Sequence, residues 1–229
     1  MKLWDKGIKI DEKIEQFTVG NDREIDMHIA KYDVNASLAH AKMLFSIGII
    51  TAIELQQLEK GLSILEKQIH EGTFVIETQF EDVHSKIEFE LTNMFGEVGK
   101  KIHTARSRND QVLVALQLYY KDQLQTIKGL VGTFFDTLLN LAELHKKCLL
   151  PGYTHLQVAM PSSFGLWFSS YAEVIVDDVY LLDAAIKTID QNPLGSAAGY
   201  GSSFPIDRNF TTTELGFSTL KYNVIAAQM

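Results

Sequence analysis

The sequence has little cysteine: Cys148 is the only one in 229 residues, so the chain forms no internal disulfide bond. This usage is typical of a reducing compartment, and the cytoplasm is the predicted location. The start of the chain lacks an apolar core of signal-peptide length, and no later apolar run approaches the length that spans a bilayer. No pair of histidines or cysteines has the spacing of metal ligands, so we expect neither a metal site nor a cofactor.

Basic residues are also few, and they form no run. The formal net charge of −8 argues against nucleic acid or an anionic membrane surface as a partner. A site for an anion must therefore arise from a local cluster of arginine or lysine side chains.

Proline is absent from the first 150 residues; the four prolines are Pro151, Pro161, Pro193 and Pro205. Nothing in that first part need interrupt a helix, and an apolar content of 46% is ample for a packed core, so the sequence predicts an all-α protein. Residues 1–35 are predicted to form an extended arm followed by a short helix near residues 25–32. Further helices are predicted at residues 37–47, 51–70 and 82–95, and TAIE at residues 51–54 has the pattern of a capping box.

The strongest periodic signal lies in residues 109–147, where apolar residues recur at intervals of three and four. It predicts one long helix whose apolar face is too wide for a single partner, as in a helical bundle. Residues 162–189 repeat the pattern and are predicted to return antiparallel, followed by a mobile loop at residues 192–203. We expect an N-terminal helical domain with an arm at residues 1–108 and the first part of a central long-helix bundle at residues 109–229. Because the chain ends inside an apolar segment at Met229, this bundle is expected to be truncated.

The first chemically distinctive segment is HTARSRNDQ, at residues 103–111. It gathers two guanidiniums, two hydroxyls, two amides and a carboxylate at the start of the long helix. Arginine binds a carboxylate through two parallel hydrogen bonds, and the free N–H groups of a first helical turn attract negative charge. A charged loop that only caps the helix would use the same residue types. The residues alone leave an anion site and a helix cap equally open.

The second distinctive segment is PGYTHLQ, at residues 151–157, between the two long helices. Thr154 and Gln157 supply hydrogen-bond donors and acceptors on either side of His155, and histidine is the side chain that most often transfers protons in catalysis. A lone histidine is more often structural than catalytic. Here the polar run interrupts two strongly apolar helices, which favours a functional role.

Together the two segments resemble the first two signature regions of argininosuccinate lyases, in the fumarase/aspartase superfamily. The resemblance extends to LW at residues 3–4, EDVH at residues 81–84 and NPLGS at residues 192–196, so it spans nearly the whole chain. It implies a lyase of arginine biosynthesis that eliminates arginine from argininosuccinate and releases fumarate. It also implies a homo-oligomer, most simply a tetramer.

The resemblance further implies roles for individual residues. Its catalytic residue is His155, as the general acid/base partner. The residues that it assigns to substrate binding are Ser107, Arg108, Asn109, Thr154, Gln157, His84 and Asp26. Of these, His84 and Asp26 lie outside the two segments.

Three features depart from the family pattern. Ala105 stands where the family usually has glycine, and it would be strained if the position needs a positive φ. The family's N-terminal substrate-binding serine has no clear counterpart near residues 20–22. The third signature, a GSSxMPxKxNP loop that carries the catalytic serine, is missing, since GSSFP at residues 201–205 imitates only its beginning. The alternatives are therefore a non-catalytic helical scaffold or assembly module of the same superfamily, or another of its fumarate-releasing lyases.

The length of the predicted long helix bears on assembly. At a rise of about 1.5 Å per residue, a helix over residues 109–147 separates its two ends by about 55 Å. Arg108 and His155 of one chain would then be too far apart to act on one small dicarboxylate. We therefore expect a site shared between subunits, in which Arg108 of one faces His155 of another.

Overall fold

The computed structural model describes residues 12–229. Its α-helices are α1 (Glu12–Val19), α2 (Asp22–Asp26), α3 (Ala30–Ser46), α4 (Ala52–His70), α5 (Val83–Phe95), α6 (Glu97–Lys100), α7 (Arg108–His145), α8 (Phe164–Ile189) and α9 (Arg208–Glu214). Its strands are β1 (Leu149–Thr154), β2 (Gln157–Ser163), β3 (Gln191–Asn192) and β4 (Thr219–Leu220), and 3-10 turns occur at Lys101–His103 and Ala226–Gln228. The antiparallel hairpin β1-β2 and the short parallel pair β3-β4 are separate two-stranded sheets. The predicted all-α class is confirmed.

Local sequence signals account for the boundaries of α4 and α5. At the start of α4, the backbone N–H of Glu54 donates to Thr51 Oγ1 (3.3 Å), and that of Thr51 donates to Glu54 Oε2 (2.9 Å). This is the predicted capping box, in which two helix-end donors are satisfied reciprocally. Asp82 caps α5 in a similar way, through the backbone N–H of Ser85 (2.7 Å). Both predicted helices are confirmed.

The prediction for the first 47 residues was wrong in part. Residues 12–19 form α1 rather than an extended arm, and the two expected helices near residues 25–32 and 37–47 are instead the short α2 and one continuous α3. No glycine or proline lies between Ala30 and Ser46, and small buried residues such as Ala36 and Ala39 let α3 approach its neighbours closely. Residues 1–11, which carry the rest of the predicted arm, lie outside the described residues.

The described chain divides into two compact units, one of residues up to Tyr119 together with Asp190–Met229, and one of Tyr120–Ile189. In the first unit α3, α4 and α5 enclose a core that includes Leu44, Leu62 and Ile87. Burying each such side chain stabilises the fold by about 1.5–3 kcal/mol. The expected division at residues 108 and 109 stays a prediction.

The residues that follow α8 belong to the core of the first unit. Asn192, Leu194 and Ser196 are fully buried. The prediction of a mobile loop at residues 192–203 was therefore wrong for the first half of that segment. Its glycines provide tight turns that pack against other elements, rather than a solvent-exposed connection.

In the second unit α8 runs antiparallel to the later part of α7, as predicted. The His145 ring lies 6.2 Å from that of Phe168, and near the other end Lys128 Nζ lies 2.5 Å from Asp183 Oδ1. The two backbones approach closely at Gly165, where an added Cβ would come within 2.6 Å of the Lys146 Cα atom. Glycine is therefore required there for the helices to approach.

The predicted long helix is confirmed: α7 is continuous over 38 residues. At the usual rise per residue its length is about 57 Å. No helix within residues 12–229 is long and apolar enough to cross a membrane.

Candidate active site

The first turn of α7 is built by hydrogen bonds between Ser107 and the residues that follow it. The backbone N–H of Ser107 donates to Asp110 Oδ1 (2.9 Å), and the backbone N–H of Asn109 donates to Ser107 Oγ (3.3 Å). Short polar side chains at these positions satisfy groups that have no partner within the helix. The long helix thus begins in the predicted segment, one residue earlier than expected.

Arg108 is held against the start of α5. Its Nη2 donates to Ser85 Oγ (3.2 Å), its Nη1 donates to Gln111 Oε1 (3.3 Å), and its Nε lies 3.5 Å from Asp82 Oδ2. The Arg108 side chain is 21% exposed, so three neighbours orient the guanidinium while solvent still reaches it. A planar guanidinium fixed in this way suits bidentate binding of a carboxylate.

Asp26 and His84 lie at the same end of α5. Asp26 Oδ2 accepts a hydrogen bond from the backbone N–H of Val83 (3.0 Å). Burial raises the pKa of Asp26, and the hydrogen bond from Val83 offsets part of that rise. The His84 side chain is only 1% exposed, and its Nδ1 lies 3.1 Å from Asp33 Oδ2. The structure thus brings Asp26, His84 and Arg108 together around the first turn of α5.

A strained bend precedes α7. Ala105 has a φ of 61°, so the strain expected from alanine at this position is present. Two contacts tie the bend to α3: His40 Nε2 lies 2.8 Å from the carbonyl oxygen of Thr104, just before Ala105. Just after it, the buried Arg106 donates to Ser37 Oγ from both terminal nitrogens (3.1 and 3.2 Å).

The charge of Arg106 affects both histidines at this bend. Burial and the charge of Arg106 lower the pKa of His40 to about 3, so the ring is neutral and Nε2–H donates to Thr104. Burial, followed by the charges of Arg106 and Arg108, lowers the pKa of His103 to about 4. The positive charge at the head of α7 therefore comes from the two arginines.

The second segment forms the tip of the β1-β2 hairpin, an element that periodicity did not predict. Thr154 pairs with Gln157, and His155 and Leu156 form the two-residue turn between them with φ values of 51° and 63°. Two positive φ values are typical of a type I′ turn, which normally uses asparagine and glycine. Thr154, His155 and Gln157 are all exposed within the second unit, and Leu156 is 98% exposed.

The family model described as "Lyase" matches residues 6–229. The chain belongs to the lyase family. It is 54% identical over 228 residues to argininosuccinate lyases of Phocaeicola vulgatus and Bacteroides thetaiotaomicron, covering 100% of this chain and 51% of each relative. It is 46% identical to the argininosuccinate lyase of Thermotoga neapolitana, covering 99% of this chain and 57% of that relative. The chain thus spans about half the length of the curated relatives it matches.

Solved structures agree with this family assignment. A crystal structure of EDDS lyase in complex with formate has a TM-score of 0.79 and 25% identity, covering 97% of this chain and 44% of that chain. A fumarate lyase:delta crystallin from Brucella melitensis has a TM-score of 0.75 and 14% identity, covering 89% of this chain and 50% of that chain. At 14% identity the second likeness concerns the fold alone.

In this member of the lyase family, sequence reasoning missed the groups that orient the site residues. Asp33 is fully buried, and it accepts hydrogen bonds from Gln111 Nε2 (3.0 and 3.2 Å) and faces His84. Burial raises the pKa of Asp33, but its interactions with His84, Arg106 and Gln111 outweigh the effect of burial, so the pKa is lowered. The available signal was the position of Asp33, which lies four residues from the buried Ile29 and four from the buried Ser37. This spacing places its carboxylate on the buried face of α3, where it needs partners.

Proposed function

We propose that this chain supplies carboxylate-binding and proton-transfer groups of an argininosuccinate lyase, which cleaves argininosuccinate into arginine and fumarate without a cofactor. The observation that carries the proposal is the 54% identity to argininosuccinate lyases over 228 residues, a span that includes both distinctive segments. The reaction would belong to arginine biosynthesis, and we propose a cytoplasmic location.

The proposed chemistry is a β-elimination. A base removes a proton from the carbon adjacent to the one that carries the leaving nitrogen, and the electron pair is first delocalised into the carboxylate on the deprotonated carbon. The electron pair then forms the carbon–carbon double bond as the carbon–nitrogen bond breaks, and the departing nitrogen of arginine takes up a proton. Negative charge builds on the neighbouring carboxylate, so fixed cations and hydrogen-bond donors stabilise the intermediate.

The head of α7 is suited to hold that carboxylate. The oriented guanidinium of Arg108 is the proposed bidentate donor, and the Ser107 hydroxyl and the Asn109 amide are the proposed additional donors. His84 and Asp26 are proposed as members of the same substrate-binding group. Their contacts to Asp33 and to the backbone of Val83 support a role in holding the start of α5 beside Arg108.

His155 is the proposed general acid/base partner, and Thr154 and Gln157 are the proposed carboxylate-binding groups beside it. Two observations support this assignment. The hairpin tip is exposed within its unit, and its turn residues adopt positive φ values without being glycine or asparagine. Backbone strain of this kind is concentrated at functional sites, because the surrounding structure must maintain it.

We propose that the complete site is shared between subunits of a homotetramer. Arg108 is the first residue of the unbroken α7, whereas His155 lies ten residues beyond its last residue, His145. The second unit also exposes many large apolar side chains. Those on its helices include Leu130, Phe134, Leu166, Val174, Tyr180 and Leu181. Such a surface is expected where helices of other subunits pack against it in the assembled protein.

Fumarate release, followed by its ultraviolet absorbance, tests the proposed reaction. The purified 229-residue chain is expected to release none from argininosuccinate, because its sequence has no counterpart of the third signature. A chimera that joins this chain to the remaining half of the Bacteroides thetaiotaomicron relative is expected to be active, and its His155→Asn variant inactive. Asparagine tolerates the left-handed conformation of residue 155, so this substitution removes the imidazole without disturbing the turn.

The same chimera separates the alternatives. An assembled chimera that releases no fumarate from any substrate would support a scaffold without turnover. Fumarate release from aspartate or adenylosuccinate, but not from argininosuccinate, would support another lyase of the superfamily. Full activity in the His155→Asn chimera, with unchanged helical circular dichroism, would remove His155 from the catalytic role.

A further inference from the structure

We propose that Asp110 and Arg208 are positioning residues that act through the loop at residues 192–197 to fix the first turn of α7, and with it Arg108. The inference rests on the proposed function only in that Arg108 is taken to bind a carboxylate. It assigns a role to the NPLGS segment, which carries no group suited to the elimination itself.

Asp110 joins two parts of the chain that are far apart in sequence. Its Oδ1 accepts the backbone N–H of Ser107 (2.9 Å), and its Oδ2 accepts the backbone N–H groups of Gly195 and Ala197 (both 2.9 Å). The Asp110 side chain is fully buried. A buried carboxylate without partners would be costly, and here three backbone donors surround it.

Arg208, the first residue of α9, holds the opposite side of the same loop. Its Nε donates to the carbonyl oxygen of Leu194 (2.9 Å), and its Nη2 lies 3.5 Å from that of Pro193. The same Nη2 donates to the carbonyl oxygen of Lys221 (2.9 Å). The loop therefore directs backbone N–H groups toward the carboxylate of Asp110 and carbonyl oxygens toward the guanidinium of Arg208. Each charged side chain thus contacts peptide groups of opposite partial charge.

The backbone of the loop is shaped for this arrangement. Gly195 has a φ of 86°, and an added Cβ there would come within 2.7 Å of Arg208 Cγ. Ala197 also has a positive φ, of 51°, although it is not glycine. Asn192 fixes the base of the loop by accepting the backbone N–H of Leu194 on its Oδ1 (3.0 Å). The strained φ of Ala197 and the close approach of Gly195 to Arg208 thus occur where the loop contacts Asp110 and Arg208.

The consequence for the site comes through the first turn of α7. The N–H groups of a first helical turn have no partner within the helix, so this turn frays most readily. Asp110 fastens it to the loop only two residues after Arg108. A displacement of about 1 Å in a substrate-positioning group lowers the rate by as much as about a hundredfold. The loop would then set the precision with which Arg108 meets a carboxylate.

The test uses Arg208→Lys, because the side chain of Arg208 donates its hydrogen bonds to carbonyl oxygens of the loop and of residues 221 and 222, and not to α7. Deuterium exchange of residues 192–199 and 105–112 is followed by mass spectrometry on the full 229-residue chain, and the affinity for succinate is measured by calorimetry. Lysine keeps the positive charge but cannot donate the several hydrogen bonds of a planar guanidinium, so the loop is held less firmly. Deuterium exchange is therefore expected to accelerate about tenfold or more in both segments. The Kd for succinate is expected to rise by a similar factor, and Asp110→Asn is expected to do the same.

Asp207→Asn is the matched control. Asp207 is exposed and caps α9 by accepting hydrogen bonds from the backbone N–H groups of Asn209 (2.9 Å) and Phe210 (3.0 Å). The substitution is the same as Asp110→Asn and lies one residue from Arg208. It is expected to leave both the exchange of residues 105–112 and the affinity for succinate unchanged, because asparagine caps a helix as well as aspartate does.

Each outcome decides the inference. If Arg208→Lys accelerates exchange only in residues 192–199 and succinate binds as before, the loop is merely structural and the inference is overturned. If Asp110→Asn fails to fold, Arg208→Lys decides alone. If the wild-type chain does not bind succinate, the proposed carboxylate site fails, and exchange in residues 105–112 still decides whether the loop controls the head of α7.

Discussion

Ala105 is a residue in a backbone conformation that glycine adopts readily and alanine does not. Its φ of 61° is maintained by the hydrogen bond of His40 to Thr104 and by the burial of Arg106. The left-handed conformation costs an L-residue about 1–2 kcal/mol, whereas glycine mainly loses additional chain entropy. The bend that precedes Arg108 is therefore a strained segment of backbone in the folded protein.

We expect Ala105→Gly to raise the free energy of unfolding by about 0.5–1 kcal/mol, because relief of the strain exceeds the added entropy of the unfolded glycine. Chemical denaturation measures the change. Ala39→Gly, in the middle of α3, is the control and should lower stability by about 1 kcal/mol. A destabilised Ala105→Gly variant would show that the bend is not strained.

A second residue-scale prediction concerns the guanidinium of Arg108. Arg108→Lys is expected to weaken succinate binding about tenfold or more, because an ammonium cannot hold Ser85 and Gln111 while presenting a planar fork to a carboxylate. Calorimetry with succinate measures the loss. Arg23→Lys is the control, since the Arg23 guanidinium donates to two backbone carbonyl oxygens, those of Phe80 (2.6 Å) and Thr78 (2.8 Å). Equal succinate affinity in the two variants would remove Arg108 from the site.

His40 and His103 predict how stability depends on pH. The pKa of His40 is lowered to about 3 and that of His103 to about 4, from an ordinary value of 6.5. Both rings are neutral in the fold and take up protons on unfolding. Their contribution to stability is complete above the ordinary pKa and is lost as the pH falls toward the lowered values.

Between about pH 6.5 and about pH 4, each of the two histidines should lower the free energy of unfolding by about 1.4 kcal/mol per pH unit. Chemical denaturation at several pH values measures the slope. His40→Gln keeps a donor for Thr104 but does not titrate, so it should make this slope shallower. An unchanged slope in that variant would show that His40 is not held neutral.

At the scale of elements, the approach of α7 to α8 depends on Gly165. A Cβ there would lie 2.6 Å from Lys146 Cα and 2.8 Å from the carbonyl oxygen of Ala142, both of them backbone atoms. Gly165→Ala is therefore expected to lower the free energy of unfolding by about 2 kcal/mol, since a helix backbone must move. Thermal unfolding followed by circular dichroism measures the change.

Gly129→Ala supplies the matched comparison within α7. No described atom beyond the helix itself lies within 4 Å of a Cβ added at Gly129. The substitution should raise the free energy of unfolding by up to about 1 kcal/mol, because alanine favours a helix. Equal stability of the two variants would contradict the close packing of α7 and α8 at Gly165.

At the scale of the whole molecule, a site shared between subunits predicts complementation. In the chimera with the Bacteroides thetaiotaomicron relative, the Arg108→Ala and His155→Asn variants should each be inactive. Co-expression should restore partial activity, because some sites in a mixed oligomer combine the intact Arg108 of one subunit with the intact His155 of another. Native mass spectrometry verifies that mixed oligomers form. Mixed oligomers that release no fumarate would contradict the shared site.

The sequence by itself determined the helical elements whose signals are local. Capping residues such as Thr51 and Asp82 and the apolar periodicity of residues 109–147 act within a few turns, so they are readable without knowledge of the fold. It also identified the two distinctive segments, because one gathers polar and charged residues at the start of the long helix and the other is a polar run between two apolar helices. The start of α7 followed from the same local chemistry, whereas the question of strain at Ala105 came from the resemblance, in which glycine is usual at that position.

Only the tertiary structure decided which distant groups meet. Asp33 faces His84, Ser85 holds Arg108, and Asp110 binds a loop more than eighty residues away. The hairpin that carries His155, and the burial of Asn192 in a segment that looked mobile, were decided in the same way. These contacts depend on how elements pack. A polar residue satisfied by a partner far along the chain has the same local sequence pattern as one that is exposed to solvent.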